Sequence, residues 1–301
     1  MIANPPSPAD EIKQARRKAT LGEVIIDVLK YAVLIVLAFS FVLPFIWMVL
    51  SALKDDPQVY TIPPVWIPNP AFWENFPKAW SQYDFTRFTF NSVFLYGLPV
   101  TIGVTLSSSF IAYGFSRVKW PGRDLLFGIV LATLMIPYAV TMVPLFIIWK
   151  NLGLINSYWP LVIPAFFGSA YGIFLLRQFY LTIPQELSEA ARIDGAGELG
   201  IWWRIILPLA KPALTVVALF TFIGTWNDYL APLIYISKTE LYPVALGVNL
   251  LRIAVGATGT PANIYPYLMA VSTIVTVPVI ILFYFAQRTF IEGVTTTGLK
   301  G

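Results

Sequence analysis

Neither cysteine nor histidine occurs among the 301 residues. Their absence excludes disulfides, thiolate and imidazole metal ligation, and every Ser/His or Cys/His nucleophilic arrangement, and it leaves the redox compartment unreadable. Charge is scarce too. Asp, Glu, Lys and Arg make up only 12% of the chain, and a formal net charge of +4 carries no nucleic-acid signal. No repeat of fixed period and no low-complexity tract is present. What is abundant is apolar: 57% of residues are hydrophobic and the mean hydropathy is +0.71, outside the range of soluble domains. A lipid bilayer is the expected solvent. One domain is expected, with room for several spans and their loops but not for a separate catalytic unit.

A helix crossing the hydrocarbon core needs roughly 20 apolar residues. Apolar runs of that length, the fifth interrupted only by Asp228, place six spans at about 31–53, 90–116, 125–149, 156–177, 212–236 and 263–287. The transmembrane domain is therefore expected over 25–287, between a polar tail of 1–24 and a tail of 288–301. The first run is longer than a signal-peptide core and lacks a small-residue cleavage site, so it reads as a retained span. Residues 10–24 read equally as a surface amphipathic helix or a solvated tail. An even number of spans puts both termini on one side. That side then holds 14 of the 20 Lys and Arg, leaving Lys54, Lys78, Arg87, Lys150, Lys238 and Arg252 opposite, so both termini are expected in the cytoplasm.

Outside lies a long loop from Lys54 to about Arg87, with Ile62-Pro63-Pro64 and Trp66-Ile67-Pro68-Asn69-Pro70, where fixed proline dihedrals favour ordered, extended chain. A second outer loop runs from Lys238 to about Pro261. Pro44, Pro99, Pro137, Pro144, Pro164 and Pro278 fall within the spans. Each removes a helix hydrogen bond, and the resulting kinks suit a gated path or reflect ordinary membrane-protein proline usage.

The loop at 182–208 on the side of the termini is unlike a simple connector. Thr182-Ile183-Pro184-Gln185 has the form of a capping box, predicting a helix through Arg192 that Gly195 and Gly197 stop. A second short helix is expected over about Glu198 to Ile206, closed off before Pro208. Two short helices on a glycine turn form a projection too small for its own core, so a partner is expected to cover it. Ala190, Ala191 and Ala196 offer little bulk against an approaching surface, and Glu189 and Asp194 offer charge to basic groups.

Glu189-Ala190-Ala191, two residues on Asp194-Gly195-Ala196, and eight residues further Ile205-Ile206-Leu207-Pro208 together resemble the coupling-loop signature of binding-protein-dependent ABC importer permeases. The likeness extends along the chain. Pro-Pro-x-Trp-Ile-Pro-Asn-Pro after the first span, Arg117-Val118-Lys119-Trp120-Pro121-Gly122 after the second, Thr225-Trp226-Asn227-Asp228 in the fifth and the terminal Gly298-Leu299-Lys300-Gly301 are similar to maltose/trehalose-type carbohydrate permeases, in particular the six-span member of the permease pair. The resemblance implies an all-α integral membrane protein of the type I importer fold, with coupling helices on the cytoplasmic face of the cell (inner) membrane. It implies that Glu189, Ala190, Ala191, Asp194, Gly195, Ala196, Leu207 and Pro208 engage an ATPase, and that Gly298, Leu299, Lys300 and Gly301 reach between ATPase subunits. The implied partners are a second permease, two ATPase subunits that bind ATP and Mg, and an extracytoplasmic sugar-binding protein. No cofactor, metal or catalytic residue is expected on this chain.

Two lookalikes fail on mechanics. Gly195-Ala196-Gly197-Glu198-Leu199-Gly200 fits the dinucleotide fingerprint, but a helix rather than a strand precedes it and no acidic residue stands about 20 positions on. Gly293 and Gly298 are spaced as in a P-loop, yet Leu299 stands where the lysine must be. Trp226, Asn227 and Asp228 are candidates for the substrate path, and the alternative for Asp228 is a hydrated structural role near the outer end of the fifth span. Ser107-Ser108-Ser109 with Gly103 and Gly114 reads as close helix packing, and Glu186 and Glu198 as solvated or helix-terminus charges. The alternatives are a permease for another small solute such as a glycerol phosphodiester, or an ion-coupled secondary transporter, which needs more buried charge than Asp228 supplies.

Overall fold

Backbone groups deprived of water must pair internally, and every regular element among the described residues is helical. The computed structural model describes residues 21–255 and 264–298. The first span belongs to α1 (Leu21–Ala52), which leads through α2 (Asp56–Tyr60) and α3 (Asn75–Gln82) to α4 (Phe85–Ser116). Next come α5 (Arg123–Thr133), α6 (Tyr138–Asn151) and the span Trp159–Thr182, whose long part is α7 (Ala170–Thr182). The remainder is α8 (Glu186–Ile193), α9 (Glu198–Leu209), α10 (Lys211–Asn227), α11 (Leu230–Tyr235), α12 (Val244–Ala254) and α13 (Ile264–Gly298). Among the described residues four helices are long and apolar enough to cross a bilayer, and six spans result if each of two bent pairs counts as one.

Those bends depart from the straight runs expected. The run at 125–149 is α5 and α6 meeting at 95°, broken over 134–137, where Pro137 precedes the first residue of α6. The run at 212–236 ends as a helix at Asn227, since Asp228 is extended (φ −75°, ψ 114°), and resumes as α11. Before it, α9 and α10 meet at 81°. In the fourth span Gly168 adopts φ +83°, and the Ser169 hydroxyl caps α7 by accepting from the Gly172 amide at 3.0 Å. The last helix runs without a break from Ile264 past residue 287 to Gly298, so the expected C-terminal tail begins as helix. Of the prolines expected to kink spans, Pro44, Pro144 and Pro278 lie inside helices. Pro99 instead follows a π-helical stretch, Asn91–Gly97, and starts a new α-helical turn. The expected N-terminal tail lies outside the described residues as far as residue 20, as do Leu299, Lys300 and Gly301.

The bundle is built around α4, which packs on α7 and α10, while α13 packs on α1, α10, α12 and α3. Small residues make the central approach possible. Ser108 and Ser109 are fully buried, and a Cβ on Gly172 would meet Ser108 Oγ at 2.9 Å. The serines also bond across helices, Ser107 Oγ donating to Ala165 O at 2.9 Å and Ser108 Oγ accepting from the Ser169 amide at 3.0 Å. By contrast, none of the most apolar stretch of α1 is buried within the chain, and Phe41 is 82% exposed. Such a surface suits hydrocarbon or a neighbouring helix rather than water.

The loop between the first two spans is ordered, as the prolines led us to expect. Buried Asn75 donates through Nδ2 to Ala52 O and Lys54 O, both at 2.8 Å, closing the end of α1. Gln58 holds the proline-rich turn by accepting from the Asn69 amide and donating to Pro70 O.

Candidate functional site

The turn between α8 and α9 is fixed by glycine. Gly195 sits at φ +83°; its amide donates to Arg192 O at 3.0 Å, and the Ala196 amide donates to Ala191 O at 2.9 Å. These two bonds form a Schellman motif, which requires the left-handed conformation at that one position. The start of α8 differs from the expected capping box. Thr182 is the last residue of α7 and donates its hydroxyl to Phe179 O, while Gln185 precedes α8 without a side-chain cap bond. The reason is Pro184: a residue before proline is kept out of the helical region, and Ile183 is extended (φ −75°, ψ 133°). Thr182 therefore cannot lead directly into a helical Ile183.

Beneath the turn, the projection is fastened to the spans at three points. Buried Arg117, just past the end of α4, donates to the carbonyls of Tyr180, Ile183 and Pro184, closing the C-terminus of α7 where the loop departs. Burial pushes its pKa down, yet a guanidinium keeps its charge. Second, Arg192 at the end of α8 pairs with Glu198 at the start of α9 through two bonds of 2.6 and 3.1 Å, and Tyr113 of α4 donates to the same carboxylate. The Arg192 bonds hold Glu198 below the usual carboxylate range. Third, buried Trp202 donates through Nε1 to Ser109 Oγ, which also shares a 2.6 Å bond with Tyr180 Oη. Alongside, Arg177 donates to Phe115 O and lies 4.2 Å over the Phe127 ring. Glu198 is exposed and in the first turn of α9, as expected of a solvated or helix-terminus charge, and is a structural contact besides, while Arg117, Arg192 and Tyr113 are members that sequence reasoning missed.

The outward side of the projection is bare. Glu189, Ala190, Asp194 and Ala196 are exposed, and so are Leu187, Ile193 (87%) and Leu199. These three apolar residues carried a signal that could have been read, since short helices without a core have no internal use for them. Two expected partner contacts lie elsewhere: Ala191 and Leu207 are each only 9% exposed and belong to the core under the turn. Pro208 is exposed. Glu189 lines a cleft of about 320 Å³ with Arg117, Lys119, Arg123 and Arg192.

The second region is at the far end of α10. Trp226 is 4% exposed and stacks on Phe222 at 6.1 Å, but still borders a cleft of about 400 Å³ with Asn227, Tyr229, Val248, Asn249 and Arg252. Asp228 is not among its lining residues. Its Oδ2 accepts from Tyr96 Oη at 2.6 Å and its Oδ1 from the Ala231 amide at 3.2 Å, so it joins α10 to α4 and caps α11. Of the three candidate path residues, the structure brings Trp226 and Asn227 to the cleft and gives Asp228 the structural role. Gly298 ends α13, while Leu299, Lys300 and Gly301 lie outside the described residues. Among the described residues no group of three Asp or Glu side chains comes together that would hold a metal ion.

Residues 103–295 match the family described as binding-protein-dependent transport system inner membrane component. Over 97% of its length the chain is 34% identical to a probable ABC transporter permease protein, YurM, of Bacillus subtilis, covering 93% of that protein. It is 32% identical to the sn-glycerol-3-phosphate transport system permease protein UgpE of Yersinia enterocolitica, covering 89% of this chain and 95% of UgpE. It is also 32% identical to the arabinooligosaccharides transport system permease protein AraQ of Halalkalibacterium halodurans, covering 88% and 93% respectively. Among solved structures, a chain of a bacterial ABC transporter involved in import of the acidic polysaccharide alginate superposes with a TM-score of 0.76 at 22% identity, over 90% of this chain and 98% of that one.

Proposed function

This chain belongs to the family of binding-protein-dependent transport system inner membrane components, and from that premise we propose that it is the sugar-conducting permease of an ABC importer, moved through the projection formed by α8 and α9. It is a transport subunit and not an enzyme. The observation that carries the reading is the two-sided build of that projection, fastened to α4 and α7 by Arg117, Glu198 and Trp202 and bare on its outer side. A stiff, uncovered lever transmits motion generated in another polypeptide. In the proposed assembly both termini lie in the cytoplasm and two ATPase subunits bind ATP and Mg. One of them receives Glu189, Ala190, Asp194, Gly195 and Ala196, with Pro208 at the edge of the contact, while Ala191 and Leu207 support it from below. The terminal residues Gly298, Leu299, Lys300 and Gly301 extend between the two ATPases. A second permease completes the path, an external sugar-binding protein delivers the solute, and this chain binds no cofactor. ATPase closure moves the projection and swings the spans between inward-facing and outward-facing arrangements.

The similarity to AraQ supports a saccharide, and the similarity to UgpE supports a glycerol phosphate ester as the second reading. The test is uptake into proteoliposomes holding the complete transporter with ion gradients collapsed. ATP-dependent accumulation is expected, and Glu189→Lys is expected to abolish it without reducing membrane insertion. Uptake that persists in Glu189→Lys rejects the coupling role, and uptake that follows an ion gradient without ATP rejects the importer.

A further inference from the structure

The cleft at the end of α10 has polar chemistry of one kind. Apolar walls come from Trp226, Val244 and Val248, and the polar groups at its rim are Asn227, Asn249, Tyr229 and Arg252. Its volume of about 400 Å³ lies within the range of small-ligand sites. The bonds these groups already make decide what remains. Asn227 donates Nδ2 to Ile223 O at 2.8 Å, leaving its carbonyl oxygen as an acceptor. Asn249 accepts through Oδ1 from Arg252 Nε and Nη2 at 3.0 and 2.9 Å, which among the described residues leaves its own amide N–H groups and the Arg252 Nη1 group as donors. Donors therefore outnumber acceptors, and one donor is cationic.

Among the described residues no acid neutralises that cation. Among the described residues no carboxylate lies within the 4.0 Å ion-pair distance of Arg252. The nearest acid in sequence to the cleft wall, Asp228, is engaged by Tyr96 and the Ala231 amide, and residues 256–263 contain no Asp or Glu. The exposed Arg252 side chain is also bonded to Asn249, one helical turn earlier, which favours one orientation of its free edge. A neutral sugar would be served by the amides, the phenol and the indole edge. A guanidinium adds most for an anion, whose charge shortens and strengthens each hydrogen bond it accepts and allows a bidentate pair.

We propose that this cleft is a solute subsite for an anionic saccharide, one bearing a carboxylate or a phosphate, and that Arg252 selects for the charge. The proposal rests on the import function proposed above and narrows its substrate class. The acid group takes Arg252 Nη1 and the Asn249 amide, while a sugar hydroxyl donates to Asn227 Oδ1.

The chain's lack of cysteine gives a direct test that needs no ATP turnover. In the complete reconstituted transporter, Ala245→Cys at the cleft wall is labelled with a thiol reagent and the labelled band of this chain is followed. Millimolar methyl glucuronide and glucose 6-phosphate are expected to slow labelling about tenfold more than methyl glucoside. Adding Arg252→Gln is expected to erase that difference and Arg252→Lys to keep most of it. Equal protection by all three sugars, protection by none, or a preference that survives Arg252→Gln each overturns the proposal. All of these readouts stand apart from ATP-driven uptake, so failure here leaves the coupling function untouched and failure of coupling leaves the labelling readable.

Discussion

The two ends of the molecule treat their polar groups in opposite ways. At the projection formed by α8 and α9, side chains far apart in sequence are bonded across elements, Arg117 to the end of α7, Tyr113 to Glu198, and Trp202 to Ser109. At the cleft beyond α10, the bonds that the wall's polar side chains make among the described residues stay within their own helix, Asn227 to Ile223 and Arg252 to Asn249. A part that transmits force must be fixed to what it moves, whereas a part that meets a solute must leave donors and acceptors without protein partners. Substitutions at the first end should therefore change stability and transport together. Those at the second should change transport alone.

The largest expected effect is at Arg117. Arg117→Gln leaves the Tyr180 and Ile183 carbonyls without their buried cationic donor and is expected to destabilise the bundle by about 3 kcal/mol. Thermal unfolding of the purified transporter should show the loss, and ATP-dependent uptake should fall with it. An unchanged melting midpoint would mean the projection is held by something else, and the contrast between the two ends would fail.

Next is Gly195. A Cβ there meets nothing within 4 Å, so the only penalty is the left-handed backbone, about 1–2 kcal/mol for a β-branched residue. Gly195→Val should reorient the turn and weaken retention of the ATPase in pull-down, while Gly195→Asn restores most of it. A smaller effect is expected from Glu198, whose pair with Arg192 is half-exposed and contributes less than about 1 kcal/mol. Its folded pKa is depressed, so this contribution is complete above an unfolded value of 4.5 and is lost as pH falls through the lower folded one. Melting midpoints measured from neutral to acid pH should drop less steeply in Glu198→Gln than in the parent.

Much of this was legible in the residues, and the misses have identifiable causes. Apolar run length marks segments long enough to cross a bilayer, but it is blind to chain direction: Leu134, Met135 and Ile136 look like continuous span and instead form the 95° corner before Pro137. Gly195 gave the turn, since a glycine just past a helix is the residue that most readily takes the left-handed conformation ending it, whereas Gly197 is extended. The capping box misled because its pattern competes with the steric rule for Ile183 before Pro184. Arg117 and the Tyr113–Glu198 contact were missed because the partners lie 63 and 85 residues apart, and Arg192–Glu198 because a six-residue spacing across a turn matches no helical pairing. At the cleft, Trp226 and Asn227 were named as neighbours of Asp228, the one charge interrupting a span, but Arg252 and Asn249 are joined to them by the packing of α12 beside α10.

Asn227 tests the other end of the contrast with the smallest expected change in stability. Its side chain is exposed and its single bond reaches back one turn within α10, so Asn227→Ala is expected to shift unfolding by no more than about 0.5 kcal/mol. If its carbonyl meets a solute hydroxyl, uptake should show a raised KM at unchanged maximal rate, because the lost bond is made in the bound state and plays no part in coupling. A fall in melting midpoint comparable to that of Arg117→Gln would assign the cleft wall to the same fastening network as the projection. A lowered maximal rate with KM unchanged would move Asn227 from the solute to the moving parts.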